Sequence, residues 1–130
     1  MSRSVLLDTP TLVWALVDPD KLSAAARGAL EDWTTTVHVS AATALELAVK
    51  QRLGRLPGVS AVIEGYADHL RRLQAVEIPI TTAHALRAGA FPVLYGDPFD
   101  RLLAAQALLE GLPIVSRDPL LRAFDVEVIW

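Results

Sequence analysis

Residues 96 to 118 read GDPFDRLLAAQALLEGLPIVSRD, and the alternation in this stretch decides the fold. Asp97-Pro98 opens a helix: a short side chain that accepts backbone N–H bonds stands before a proline whose fixed φ suits the first turn. Leu102, Leu103, Ala105, Gln106 and Leu109 run along it to Glu110, and Gly111 ends it. Ile114-Val115 follows as a short continuous apolar run, the pattern of a strand buried on both faces. Asp118-Pro119 then opens another helical turn. Helix, buried strand and a polar residue at the strand's end form the repeating unit of an α/β layered domain with a largely parallel sheet.

The rest of the chain reads the same way. Val5-Leu6-Leu7 is a first buried strand, with Thr9 as cap and Pro10 as first residue of a helix carrying Leu12, Val13, Leu16 and Val17. Asp18-Pro19-Asp20 is a turn. Ser23 caps a second helix to about Trp33, with Ala26, Leu30 and Trp33 on one face. Val37-His38-Val39 is a second strand, and Ser40 caps a helix from Ala41 to Leu53 that Gly54 stops. After Pro57-Gly58, the residues Val59, Val62, Ile63, Tyr66, Leu70 and Leu73 recur at helical spacing and predict one amphipathic helix. Val76-Glu77-Ile78 is a third strand, and Thr81 or Thr82 begins a helix to about Ala90. A loop covers Phe91 to Gly96, and Val126 to Ile129 is the last strand. Length and the absence of a linker or repeat predict a single domain over residues 1–130.

Composition narrows the function. No cysteine is present, which excludes a disulfide scaffold and a thiolate metal site and fits a reducing cytoplasm. Only 6% of residues are aromatic against 52% hydrophobic, so Leu, Val and Ala must build the core. Val5-Leu6-Leu7 is too brief for an export signal, which needs ~7–15 apolar residues. No window approaches the ~18 apolar residues of a membrane span. The expectation is a cytoplasmic protein. The net charge of -3 runs against simple nucleic-acid binding, but two divalent ions would carry it to +1.

In a parallel sheet, ligands bind beyond the carboxyl ends of the strands. Asp8 directly follows the first strand, Asp118 lies just past Ile114-Val115, Asp100 lies in the first turn of its helix, and Glu46 lies on the helix after the second strand. These four carboxylates can converge on one sheet edge, where their repulsion calls for a proton or a cation. Hard oxygen ligands suit Mg²⁺ or Mn²⁺, which can activate water for phosphodiester cleavage. Each acid also has a structural reading: Asp8, Asp97 and Asp118 as helix-start residues, Asp100 as an acid favoured by the helix dipole, and Glu46 as a partner of Lys50 four residues on. His38, His69 and His84 have no metal-ligand spacing and read as structural or surface residues, and Trp14, Trp33 and Trp130 read as packing. Arg101 and Arg117 neighbour acids and could hold phosphates, and Lys50, Arg52 and Arg55 cluster at the end of the Glu46 helix. No nucleotide-binding glycine motif occurs.

Four segments carry a resemblance. Val5-Leu6-Leu7-Asp8-Thr9, Val39 to Ala42 leading into Glu46-Leu47-Ala48 and on through Lys50 to Leu56, Gly96 to Ala107, and Ile114 to Asp118 resemble, in order and spacing, the motifs of PIN-domain ribonucleases, and most of all VapC-type toxins of bacterial toxin–antitoxin pairs. Departures from the family pattern fall at Pro10, Ala44 and Tyr95, none of them an acid. The resemblance implies an α/β three-layer fold with a central, mainly parallel sheet flanked by helices, and Mg²⁺- or Mn²⁺-dependent endoribonuclease activity. It implies an acidic site of Asp8, Glu46, Asp100 and Asp118, with Asp8 and Asp100 as direct metal ligands and Glu46 and Asp118 completing the shell or acting through water. Thr9 and Ser116 would support it as hydroxyls, with Asp97 a neighbouring cap. It further implies an RNA substrate, a homodimer and an antitoxin partner that blocks the site. Two other readings compete: a non-catalytic binding module, and an acid-cluster phosphotransfer domain with Asp8 as nucleophile. Against the latter, no Asp stands two residues after Asp8 and no Lys follows the Ile114-Val115 strand.

Overall fold

The computed structural model describes residues 3–93 and 96–130. Its centre is strand β1, Arg3–Leu7, in which Val5, Leu6 and Leu7 have no exposed surface. Successive side chains of a strand point to opposite faces, so a continuous apolar run needs a helical layer on each side. Both layers are present. Val5 and Leu7 join Val37, Val39 and Val115 against Leu12, Val13, Leu47, Val59 and Val62. Leu6 joins Ile78 and Ile114 against Leu103, Ala104, Ala107, Leu121 and Phe124.

Strand β2 (Thr35–Ser40) and strand β4 (Ile114–Val115) flank β1, while β3 (Val76–Ile78) and β5 (Val128–Ile129) close the edges. The order is β3-β2-β1-β4-β5, and every pair is parallel. All strands therefore end at the same edge. Leu7 pairs with Val39 and with Val115, so the residues that follow these three strands emerge side by side.

Helix α1 (Thr9–Val17) leaves β1, α2 (Ala24–Glu31) precedes β2, and α3 (Ala41–Arg52) leaves β2. Ser23 and Ser40 cap α2 and α3 through their hydroxyls, as their positions predict. The cap of α1 differs from expectation. It is Asp8, whose carboxylate accepts the N–H of Thr11 at 2.9 Å, and Thr9 and Pro10 are the first two helical residues. Trp33 also departs: it lies past the end of α2 and is 91% exposed, so it packs no core. Trp14 and Trp130 do pack, with ring centroids 5.9 Å apart.

The helix predicted over residues 59–73 is two helices, α4 (Val59–Ile63) and α5 (Tyr66–Arg72). The apolar face is as expected, because all six periodic residues pack on the same core. Continuity fails at Glu64, which turns extended, and at Gly65, which takes a left-handed φ of 69°. Periodicity reports which face is buried and is blind to one backbone reversal.

Helix α6 (Thr82–Ala90) and helix α7 (Pro98–Glu110) cover the other face. Thr81 caps α6 in a reciprocal box: its hydroxyl accepts the N–H of His84, and its own N–H donates to His84 Nδ1 at 3.0 Å. Nδ1 is thus the acceptor, and Nε2 is the donor to Glu110 at 2.9 Å. Leu94 and Tyr95, part of the predicted loop, lie outside the described residues. A short 3-10 helix, Pro119–Phe124, precedes β5, which is shorter than the predicted Val126–Ile129. Among the described residues no helix is long and apolar enough to cross a membrane.

Gly58, before α4, has φ 91°, and a Cβ there would fall 2.7 Å from Val17 Cγ2. Gly65 has the same backbone demand but open space around it. An L-residue in this region costs roughly 1–2 kcal/mol, and overpacking adds about 1–3 kcal/mol. Gly58→Ala should therefore lower thermal stability clearly more than Gly65→Ala, and adding Val17→Ala should recover part of the difference. Equal melting temperatures for the two single variants would remove the steric claim.

Candidate acidic site

The carboxyl edge of the sheet gathers the expected acids in two groups. Asp8 emerges from β1 only 6% exposed. Burial pushes its carboxyl above the ordinary range, hydrogen bonds from Ser116 and Thr11 pull it back, and the nearby charge of Asp118 raises it again. Ser116, at the end of β4, is itself buried, and its Oγ accepts the N–H of Asp118 at 3.0 Å. One hydroxyl thus serves Asp8 through its hydrogen and Asp118 through its oxygen. Thr11 fixes Asp8 from α1 and also donates its hydroxyl to the Val115 carbonyl at 3.0 Å, tying the start of α1 to β4.

The second group forms around Glu46, 7% exposed on α3. Burial raises its carboxyl, the Thr9 hydroxyl lowers it, the charges of Asp97 and Asp100 raise it, and Lys50 lowers it. Thr9 Oγ1 donates to Glu46 Oε1 at 2.6 Å, with the Thr43 hydroxyl 3.4 Å away. No ion pair joins Glu46 to Lys50 among the described residues, so the structural reading of Glu46 as a helix-face partner gives way to a buried bond with Thr9. Thr9 is adjacent to Asp8, and this bond links the two groups.

Asp97 and Asp118 are caps. Asp97 accepts the N–H of Phe99 at 2.8 Å, and Asp118 accepts that of Leu120 at 2.9 Å. Each cap bond uses only part of a carboxylate's roughly four lone-pair sites, so capping and ligation are compatible roles. Asp100 stands in the first turn of α7, partly buried. Among the described residues, no three carboxyl or imidazole groups stand close enough to enclose one metal ion. The donor chemistry nevertheless fits a hard divalent ion. Mg²⁺ commonly keeps most of its waters and takes one or two protein carboxylates, which paired acids can supply.

Arg101 is not available for phosphate. Its guanidinium donates to the carbonyls of Ala88, Gly89, Phe91 and Val93 at 2.9, 3.3, 2.7 and 3.0 Å. It closes the open carbonyl end of α6 and fixes α7 against it. Sequence reading also missed Thr11 and Thr43. Their visible signal is their placement one helical turn from an acid, at Asp8-Thr9-Pro10-Thr11 and Thr43-Ala44-Leu45-Glu46.

Comparison with known proteins agrees with this architecture. The PIN domain family matches residues 5–127. A curated relative, Ribonuclease VapC22 of Mycobacterium tuberculosis, is 33% identical over 122 residues, covering 92% of this chain and 91% of its own. Among solved structures, VapBC2 from Rickettsia felis bound to a promoter DNA fragment superposes with a TM-score of 0.69 at 16% identity, covering 96% of both chains. A toxin–antitoxin complex from Klebsiella pneumoniae gives 0.64 at 22% identity, covering 97% of this chain and 96% of its own. A family match over nearly the whole length, on a five-stranded parallel sheet with helices on both faces, leaves one conclusion: the chain belongs to the PIN-domain family and is of the VapC type.

Proposed function

We propose that this chain is a divalent-metal-dependent endoribonuclease and the toxin of a type II toxin–antitoxin pair, working in the cytoplasm as a single-domain homodimer. The observation that carries the chemistry is the pair of buried carboxylates, Asp8 and Glu46, whose strongest charged neighbours are other carboxylates. The resemblance to a curated ribonuclease carries the substrate, and the toxin–antitoxin complex among the structural relatives supports an antitoxin partner.

Asp8, Glu46, Asp100 and Asp118 would hold Mg²⁺ or Mn²⁺, with Asp8 and Asp100 as direct ligands. A bound divalent ion supplies Lewis acidity toward the phosphate and lowers the pKa of a bound water. The chain's own residues then set the geometry. Ser116 and Thr11 hold the Asp8 carboxylate, Thr9 holds Glu46, and Asp97 anchors the helix start that carries Asp100. A carboxylate whose proton affinity is raised by burial is suited to accept the proton of an attacking water. A second reading, a non-catalytic binding module, draws on the cap bonds of Asp8, Asp97 and Asp118.

Cleavage of cellular RNA by the purified protein with Mg²⁺, with EDTA, and as the Asp8→Asn and Asp100→Asn variants tests the proposal. Cleavage should require metal and fall by at least about a hundredfold in either variant, several kcal/mol of lost transition-state stabilisation. Full activity in either folded variant would end the assignment of that acid, and failure to bind divalent ions would favour the binding module.

Stability offers a separate check. Asp8 and Glu46 bind protons more tightly in the folded state than unfolded. Their contribution is full below the ordinary carboxylate pKa of about 4 and is lost as pH rises through the raised folded values. The metal-free melting temperature should therefore fall more steeply above about pH 4 in wild type than in the Asp8→Asn, Glu46→Gln double variant, which cannot ionise there. Mg²⁺ should restore wild type at neutral pH. Parallel pH profiles in calorimetry would remove the claim that burial raises the proton affinity of these two carboxyls.

A further inference from the structure

A depression of about 460 Å³ opens between β3, the start of α6 and the end of α7, and none of the acids discussed above lines it. Its floor is the face of the sheet that carries Leu6. His38 pairs with Leu6 on one side and Val76 on the other, and Ser4 and Ile78 stand two residues from Leu6 and Val76, so all point the same way. Where Leu6 and Ile78 pack, this face is apolar core; toward the depression it turns polar, at Ser4 and His38. Thr81 and His84 at the start of α6 and Glu110 at the end of α7 form a wall, while Glu77 and Pro79 come from β3 and the turn after it.

Two buried polar atoms here have no hydrogen-bond partner within the protein, His38 Nδ1 and Gln106 Oε1. Gln106 is fully buried behind the wall: its amide nitrogen donates to the Pro79 carbonyl at 3.2 Å and stands 3.4 Å from His84 Nδ1, and both of those residues line the depression. Buried polar groups are normally paired, so two exceptions at one place call for an explanation. The charge is one-sided as well. Glu77 and Glu110 line the depression, and no Lys or Arg does. Glu77 joins no ion pair among the described residues, and Glu110 accepts the His84 Nε2 proton at 2.9 Å with its side chain still 46% exposed. Burial holds His38 below its ordinary pKa, against the charge of Glu110, so the neutral ring keeps one nitrogen as an acceptor. Such a lining repels anions and offers acceptors to a cation that brings several N–H donors. Val76, Ile78, Pro79 and Leu112 add apolar surface for a hydrocarbon stem.

We propose that this pocket is a second binding site, separate from the acidic edge, for a small linear alkyldiamine. One ammonium group is held by Glu110 and His38, the other by Glu77, and the methylenes lie along Val76, Ile78 and Leu112. The volume of about 460 Å³ falls in the range of pockets that enclose small molecules. The two carboxylates come from different walls, one from β3 and one from α7, and a chain with a cation at each end can bridge them. The site stands independently of the ribonuclease reading.

The test is isothermal titration calorimetry of the full chain in Mg²⁺ near neutral pH, with diaminobutane, butylamine and butanediol as probes. The diamine should bind more tightly than the monoamine, and the diol should not bind. Glu110→Gln should weaken diamine binding at least about tenfold, as truncating one partner of a buried charge pair does. Glu77→Gln should reduce the diamine to the affinity of butylamine and leave butylamine unchanged. Val76 is 48% exposed on an edge strand, so Val76→Trp can fill the pocket without entering a core. It should block binding in a protein whose melting temperature is unchanged. Asp8→Asn with Asp100→Asn should bind the diamine like wild type. Loss of binding in that pair moves the amine to the acidic edge and overturns the proposal. Equal binding of butanediol, undiminished binding in Glu110→Gln and Val76→Trp, or no binding at millimolar diamine overturns it too. Glu110→Gln also disturbs the bond to His84, and if that variant fails to fold, Glu77→Gln and Val76→Trp decide alone.

Discussion

Everything at the sheet edge follows from the burial of one carboxylate. Strand β1 has helices on both faces, and the next residue, Asp8, has nowhere to go but the seam between α1 and β4. Its carboxylate is cut off from bulk water, where an ion of this kind is stabilised most. The chain offsets that cost in part with the Thr11 N–H and the Ser116 hydroxyl, and then adds Asp118 nearby, which works the other way. Such a conflict at a partly enclosed carboxylate is what the acidic site proposed above would produce.

The second acidic group repeats this logic by different means. Glu46 approaches from α3, one to two turns past the Ser40 cap, and is held by Thr9 from the neighbouring strand end. Two hydroxyls, Thr9 and Ser116, thus connect three acids, Asp8, Glu46 and Asp118, that come from three elements. Hydroxyls suit this work because each can donate to a carboxylate and accept an N–H at once, while adding no charge of their own.

Much of this was legible in the sequence. The strand-end acids announced themselves because a continuous apolar run must stop where the sheet stops, and the residue after it must face the crevice. The same reading gave a largely parallel sheet and the caps at Ser23, Ser40 and Asp97, and it left Thr81 and Thr82 as alternative starts of the helix that Thr81 caps. What escaped it was tertiary. Glu46 reads locally as a partner for Lys50, and only the packing of α3 on α1 reveals Thr9 as its partner. Arg101 looks like a phosphate ligand beside Asp100, yet four carbonyls from α6 and the following turn claim it. Trp33 has the spacing of a core residue but falls past the point where Asp32 ends its helix. One-dimensional spacing fixes a residue's face, and a competitor for its hydrogen bonds can come from anywhere in the chain.

The Arg101 clamp has a consequence for how the molecule breathes. Proteins open in cooperative segments, and a segment's extent is set by the bonds that must break together. Because one guanidinium holds the last turn of α6, Phe91 and Val93 to the first turn of α7, these stretches belong to a single opening unit. Asp100, one residue before Arg101, lies inside it. The order of the acidic edge is thereby tied to the order of a helix end that contributes no acid to it. Amide exchange at Arg101 should keep pace with exchange at the end of α6, not with the slower centre of α7.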